Sequence, residues 1–192
     1  MKLTVAPLTK QRWADLETLF SGKGCSFARA CWCMECRYDG TRPELGKGEA
    51  RGKANRLAMK GLVDDDDIPG LIGYNGKTPV GWIAVAPRDE YGRLRRSSAM
   101  KAVDDQPVWS VVCFVVPSEH RGQGVAQALL KAAVTYAKKN GAKILEGYPI
   151  DKPTRSNDGF MWVGAKSMYD KAGFEEVARH MPQRPIMRIG TK

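Results

Sequence analysis

Residues 121 to 126 read Arg121-Gly122-Gln123-Gly124-Val125-Ala126, and these residue types suit the binding of phosphate. Gly122 and Gly124 let the backbone approach a ligand closely. If a helix starts here, its free amides and positive dipole end attract a pyrophosphate. Arg121 adds formal charge. No Lys-Ser/Thr pair follows the glycines, so this is not a Walker loop, and the spacing is not that of a dinucleotide fingerprint. An ordinary strand-to-helix turn would use the same glycines.

A second chemical cluster is Cys31-Trp32-Cys33-Met34-Glu35-Cys36, with Cys25 upstream. Three or four thiolates could bind tetrahedral zinc, but structural zinc sites pair two short knuckles across a loop, and here one stretch supplies every sulfur. No metal is assigned, and the role of the cysteines stays open between free thiols and ligands. Glu146 stands in Ile144-Leu145-Glu146-Gly147-Tyr148, an apolar run in which a carboxylate is unusual.

The elements that must position these residues follow from periodicity. Lys2 to Ala6 reads as a strand, and Thr9 caps a helix whose apolar face is Trp13, Leu16, Leu19 and Phe20. Residues 21–50 read as a long loop with one short helix, and Arg51 to Val63 regains helical character. Leu71 to Tyr74 and Val80 to Ala86 form a hairpin, with Asn75-Gly76 expected as a type I′ turn.

Val108 to Val116 is nearly continuous in β-branched and aromatic residues and bounded by prolines, so it is read as a strand buried on both faces. A helix from about Arg121 follows, with Val125, Leu129, Ala132, Ala133 and Tyr136 on one face and a stop at Asn140-Gly141. Lys143 to Ile150 is the next strand. A short helix spans Val163 to Ala172, and Glu176 to His180 and Pro185 to Ile189 are closing strands. The strand-helix-strand unit requires parallel strands.

The whole chain, 192 residues with 43% apolar and 27% charged content, is read as one α/β domain. Residues 21–65 are an irregular cysteine-containing insertion, and residues 108–174 form a coenzyme-binding core. The amino terminus lacks a signal-peptide pattern, and no apolar run reaches the roughly 20 residues a membrane helix needs, so a cytoplasmic protein without a membrane partner is expected. Five cysteines, an odd number, fit a reducing compartment. The net charge of +10 favours polyanions, but the basic residues are scattered without interleaved aromatics, and no nucleic-acid partner is expected.

The segment Arg121 to Ala126 resembles the coenzyme loop of the GNAT N-acetyltransferases, in which Gln or Arg, two residues, Gly, one residue, then Gly or Ala recur; here Arg121, Gly124 and Ala126 match. The approach Val116-Pro117-Ser118-Glu119-His120 is similar to the family's entry into the loop, with proline displaced by one position. Tyr169-Asp170-Lys171-Ala172-Gly173-Phe174 is similar to its second signature, and Trp162 stands where many members carry asparagine. A GNAT subgroup also carries a Cys-Trp-Cys-Met segment before a Gly-Trp-x-x-Val-Ala-Pro strand, here Gly81 to Pro87, which suggests a cap beside the acceptor pocket.

The resemblance implies a GNAT fold, a mixed central sheet flanked by helices with a strand-loop-helix coenzyme site. It implies acetyl-CoA as co-substrate and direct transfer of acetyl to an amine of a small molecule or peptide by a monomer or homodimer. Phe114, Val115 and Val116 would bind the pantetheine arm through their backbone, and the amides from Arg121 through Gly122, Gln123, Gly124, Val125 and Ala126 would hold the pyrophosphate.

An alkylammonium with a pKa of about 10.4 needs a base, and Glu146 is the first choice, against a plain salt-bridged role; Glu119 is the second. Tyr169 would protonate the departing coenzyme thiolate, or else simply pack its ring. A non-catalytic coenzyme- or metal-binding regulatory module is the alternative.

Overall fold

The computed structural model describes residues 3–153 and 158–191. Seven strands form one sheet: β1 (Leu3–Pro7), β2 (Gly70–Asn75), β3 (Thr78–Pro87), β4 (Trp109–Val115), β5 (Ile144–Gly147), β6 (Glu175–Met181) and β7 (Arg184–Gly190). Their order is β1-β2-β3-β4-β5-β7-β6. Only β4 and β5 are parallel; the other neighbours are antiparallel. Tight turns join the antiparallel pairs β2/β3 and β6/β7, whereas parallel β4 and β5 need a crossover helix.

Six α-helices cover the sheet: α1 (Trp13–Ser21), α2 (Ser26–Cys31), α3 (Gly48–Asp64), α4 (Gly92–Arg96), α5 (Val125–Lys139) and α6 (Lys166–Asp170). One face of the sheet packs α1 to α3 through Trp13, Leu16, Phe20, Met59, Trp82 and Cys113. The other packs α5 and α6 through Ile83, Val111, Leu129, Ala133, Tyr169 and Met187. β4 is therefore buried on both sides, as its composition predicts. Helix α5 comes close because β3 has no side chain at Gly81, where a Cβ would lie 2.5 Å from Val125 and 2.9 Å from Leu129. That contact fixes the start of α5 beside the end of β4.

Local expectations fail at several points. Thr9 precedes a 3-10 turn, Lys10–Arg12, rather than α1 itself, and its side chain makes no capping bond. In the β2–β3 hairpin Asn75 pairs with Thr78, so Gly76 and Lys77 are the turn residues, and only Gly76 has positive φ (61°). A type I′ turn over Asn75-Gly76 is thus replaced by a glycine-first turn. Residues 21–50, read as a loop with one short helix, hold α2, two 3-10 turns and the start of α3. Strand β5 ends at Gly147, earlier than expected, because Tyr148 turns its hydroxyl to Ser110 (2.8 Å) and Pro149 has no amide to donate. No helix among the described residues is long and apolar enough to cross a membrane.

Candidate functional site

The site begins with a fault in the sheet. Ala84 pairs with Cys113 and Val85 with Val111, which leaves Val112 as an extra residue bulged out of β4. The parallel ladder between β4 and β5 covers Trp109–Val111 and Leu145–Gly147 and ends there. Beyond Val111 the two strands part, and the last turn of β4 borders a cavity of about 670 Å³. Phe114, Val115, Val116, Arg121, Gly122, Gly124, Val125 and Ala126 line it, so the strand and loop expected to bind a coenzyme are brought to one space. Gln123 is not among the lining residues; its amide donates back to the Glu119 carbonyl at 2.7 Å.

The loop geometry is that of an anion cradle. Gly122 and Gly124 take φ of 72° and 80°, and nothing lies within 4 Å of where a Cβ would stand on either. Gly124 is the N-cap of α5, no side chain caps this end, and the first-turn amides have no intrahelical acceptors. Arg121 does more than supply charge: its guanidinium donates to the Val116 carbonyl and the Gly24 carbonyl, both at 2.9 Å, and so ties the loop to β4 and to the turn before α2. Gln127, one turn into α5, lines the cavity with its amide nitrogen buried and without a hydrogen-bond partner. A donor held in that way calls for an acceptor on a ligand.

The opposite wall is the cysteine segment, contributed by Cys25, Phe27, Cys31 and Cys33, with Cys113 of β4 beneath. Its shape is held under strain, since Trp32 and Cys33 are consecutive left-handed residues with φ of 47° and 55°. The ring of Trp32 stacks on Trp13 at 5.7 Å and meets Phe20 at 5.0 Å. Glu35 accepts from Arg51 Nε (2.6 Å), Arg51 Nη2 (2.8 Å) and Asn55 (3.0 Å), while Asn55, fully buried, also donates to the Ala30 carbonyl at 2.8 Å. Helix α3 thereby clamps the segment against the sheet.

All five cysteines are free and buried. Burial pushes the thiols of Cys25, Cys31 and Cys36 up, Cys36 to about 12. Cys113 rises well above the usual thiol range through its hydrogen bond to Cys33 and through burial. Cys33 moves the other way, because Cys113 hydrogen-bonds to it and the Trp82 indole N–H donates to its sulfur at 3.3 Å; both outweigh burial together with the positive charge of Arg37. Among the described residues no group of three His, Cys, Asp or Glu is arranged to hold a metal ion.

Glu146 and Tyr169 lie outside the cavity lining. Glu146 is fully buried, and its oxygens accept from Arg88 (2.9 Å), Tyr148 (2.5 Å) and Arg188 Nε (2.7 Å). The carboxylate is thus held as the centre of an ion-pair network. Tyr169 is also fully buried; its hydroxyl donates to the Val163 carbonyl at 3.1 Å, and burial pushes its pKa up. The geometry gives the two residues structural partners, and no carboxylate is among the described residues that line the cavity. Glu119 is exposed on the loop before Arg121.

Sequence reasoning passed over Cys113, Gln127, Met161 and Met168 as lining residues. Cys113 could have been found, since it stands in the half of β4 next to the expected coenzyme loop. Trp162, which stands where many family members carry asparagine, lines the cavity, whereas Trp32, Trp82 and Trp109 do not. Asp66, in the run Asp64 to Asp67, pairs with Lys10 at 2.9 Å.

A family model described as the acetyltransferase (GNAT) family matches residues 32–155. No curated protein matches the chain in sequence. Among solved structures, a GNAT-family acetyltransferase from Streptococcus agalactiae superimposes with a TM-score of 0.57 at 11% identity, covering 99% of this chain and 96% of that one. An N-acetyltransferase from Staphylococcus aureus gives 0.54 at 12% identity with both chains fully covered. A candidate acetyltransferase from Salmonella typhimurium, solved with its cofactor acetyl-CoA, gives 0.54 at 11% identity, covering 99% and 94%. At these identities the likeness is one of fold.

Proposed function

Because the chain belongs to the acetyltransferase (GNAT) family, which matches residues 32–155, we propose that it moves an acetyl group from acetyl-CoA to an amine of a small molecule or a peptide. The observation that carries this reading is the juxtaposition of the parted β4 edge with the Arg121–Ala126 cradle around one cavity. The residues fit the coenzyme. Left-handed glycines with open space before them leave room for a pyrophosphate, the bare start of α5 offers amides, and the orphaned Gln127 donor faces the same space. Backbone groups of Phe114 to Val116 would pair with the pantetheine amides, as a neighbouring strand would. The amine would enter from the side of Cys25, Phe27 and Cys31, where Phe27 is half exposed (53%) and the wall is apolar.

Five free thiols agree with a reducing, cytoplasmic setting. Among the described residues no carboxylate lines the cavity, which favours a second reading, a module that binds the coenzyme without turnover. Product formation separates the two.

Thermal melts with and without acetyl-CoA, with NAD and ATP as phosphate-bearing controls, test the first step. Ligand near 100 times its Kd adds about 2.7 kcal/mol, roughly 5 to 10 °C for a chain of this size. A rise with acetyl-CoA alone supports the site, and mass-spectrometric detection of an acetylated amine from a primary-amine panel supports transfer. No shift in a cooperatively melting protein would reduce the loop to a turn.

A further inference from the structure

Two arginines beside the coenzyme cavity stand without a counter-charge. Helix α4 carries three arginines, and Arg95 and Arg96 both pair with Asp39, at 2.9 and 3.3 Å. Arg93, on the same helix, has no carboxylate partner among the described residues. Its guanidinium lies over the ring of Trp162, 5.7 Å from the centroid, and Trp162 lines the cavity. Glu35 feels the charge of Arg93, but that carboxylate is already engaged by Arg51 and Asn55.

The second cation is Arg184, at the start of β7. The Asp151 amide donates to the Gln183 carbonyl at 3.0 Å, which holds the β6–β7 turn against the chain that follows β5. From this turn Arg184 Nη2 donates to the Tyr148 carbonyl at 3.4 Å, one residue beyond the point where the β4–β5 ladder ends. Its Nε is buried and has no acceptor. The other arginines of the hairpin are treated differently: Arg179 is shared by Glu176 and Asp151, and Arg188 by Glu146 and Asp104. No carboxylate pairs with Arg184 among the described residues. Burial, and then the charge of Arg93, hold its pKa below the ordinary arginine value. A partly buried cation with an orphaned donor, close enough to a second cation to feel it, is costly in the free protein. An anion bound between the two removes that cost.

We propose that Arg93 and Arg184 bind an oxyanion, a carboxylate or a phosphate, carried by the acceptor, so that the amine acetylated by this protein belongs to an anionic molecule. This rests on the acetyltransferase reading above and names its acceptor class. A guanidinium offers its N–H groups in a planar fork that matches two oxygens of such a group. The Trp162 ring holds Arg93 by a cation–π contact and is at the same time a wall of the cavity, so an oxyanion there lies beside the space that the coenzyme would fill. With that end anchored where β4 and β5 part, the amine end is free to turn toward the thioester. Acceptors that carry only ammonium groups meet two uncompensated positive charges instead. The net charge of +10 steers anionic molecules toward the protein in the same sense.

Matched amines test this. The full-length protein and acetyl-CoA are offered β-alanine, its carboxamide, propylamine and 3-aminopropyl phosphate, and in a second series phenylalanine, phenylalaninamide and phenethylamine, with the products read by mass spectrometry. In at least one series the carboxylate or the phosphate should exceed its neutral relatives in kcat/KM by about tenfold or more, the scale of a charge-assisted hydrogen bond, and the one that leads identifies the oxyanion. Arg93→Gln and Arg184→Gln should each raise KM for the preferred amine and shrink its lead while keeping the acetyl-CoA melting shift. Arg95→Gln, on the same helix but paired with Asp39, should leave the preference as it is. Equal or better acetylation of the neutral amines, or a preference unchanged in both Arg93→Gln and Arg184→Gln, would overturn the inference and leave the acetyltransferase reading standing. A melting shift without product from any amine would overturn it and leave only the coenzyme site. No melting shift in the parent protein would remove the acetyltransferase reading as well.

Discussion

The ring of Tyr169 lies against the backbone of Gly147 so closely that a Cβ on Gly147 would stand 2.1 Å from Cε1 and 2.9 Å from the hydroxyl oxygen. Gly147 is the last residue of β5, where that strand leaves β4, and Tyr169 also meets Phe114 edge-on at 6.4 Å. The contact therefore ties the end of the ladder to a cavity wall. Gly147→Ala should displace the ring and destabilise the protein by about 1 to 3 kcal/mol, the usual cost of overpacking. The acetyl-CoA melting shift should shrink with it. Paired thermal melts check both, and a variant that melts like the parent would mean that the ring is free to move.

Tyr169→Phe removes one hydrogen bond, that to the Val163 carbonyl, from a ring packed against Phe174 at 5.1 Å. The loss should be about 1 kcal/mol in stability. Acetyl-CoA binding and turnover should change little, because the hydroxyl is engaged away from the cavity. A large fall in kcat at unchanged stability would restore Tyr169 as the proton donor expected from the sequence.

Glu146→Gln tests the other expected catalytic group. The carboxylate is fully buried between Arg88 and Arg188, whose side chains are 13% and 10% exposed. An amide in its place removes the counter-charge that Arg88 and Arg188 share and leaves Arg188 only Asp104, and breaking a buried pair in this way costs about 3 to 5 kcal/mol. Denaturant unfolding should show that loss. Near-parent stability with abolished turnover would instead mark Glu146 as the base.

The glycine-containing loop before α5 was legible because its information is local: two glycines, an arginine and an apolar helix pattern within a short stretch specify an unsatisfied helix start beside a buried strand. Most strands and the α5 crossover between β4 and β5 followed from hydrophobic periods of 2 and 3.6 in the same way, whereas the order of the strands did not. Glu146 was visible as an anomaly, yet its meaning depended on Arg88 and Arg188, 58 and 42 residues away, and no spacing rule brings them together. The cysteine segment was hardest to read. Its conformation is imposed by Trp13, Arg51 and Asn55 against the backbone preferences of Trp32 and Cys33, so local propensity points away from the structure formed.

The clamp on that segment should respond to acid. Arg51 and then Asn55 donate to Glu35 and hold its carboxyl below the ordinary value of 4.5, against burial. A folded value lowered in this way means that the stabilisation is complete above the unfolded pKa and is lost as pH falls through the folded one. Glu35→Gln should therefore cost about 1.5 to 3 kcal/mol at neutral pH, the range for hydrogen bonds to a charged group. The difference from the parent should close below about pH 4. Melts of both proteins across that range check the sign, and a difference independent of pH would assign the effect to packing alone.

Trp82→Phe separates the indole donor from the aromatic surface. Trp82 is fully buried on β3, and its N–H donates to the Cys33 sulfur at 3.3 Å. Phenylalanine keeps the edge contact to Phe20, at 6.2 Å in the parent, but removes the hydrogen bond, so the thiolate loses stabilisation and the thiol pKa must rise. Labelling of Cys33 by iodoacetamide, followed by peptide mass spectrometry, should then need a higher pH than in the parent. Acetyl-CoA should protect the thiol in both proteins by filling the same cavity. An unmoved profile in a folded variant would show that the indole only packs.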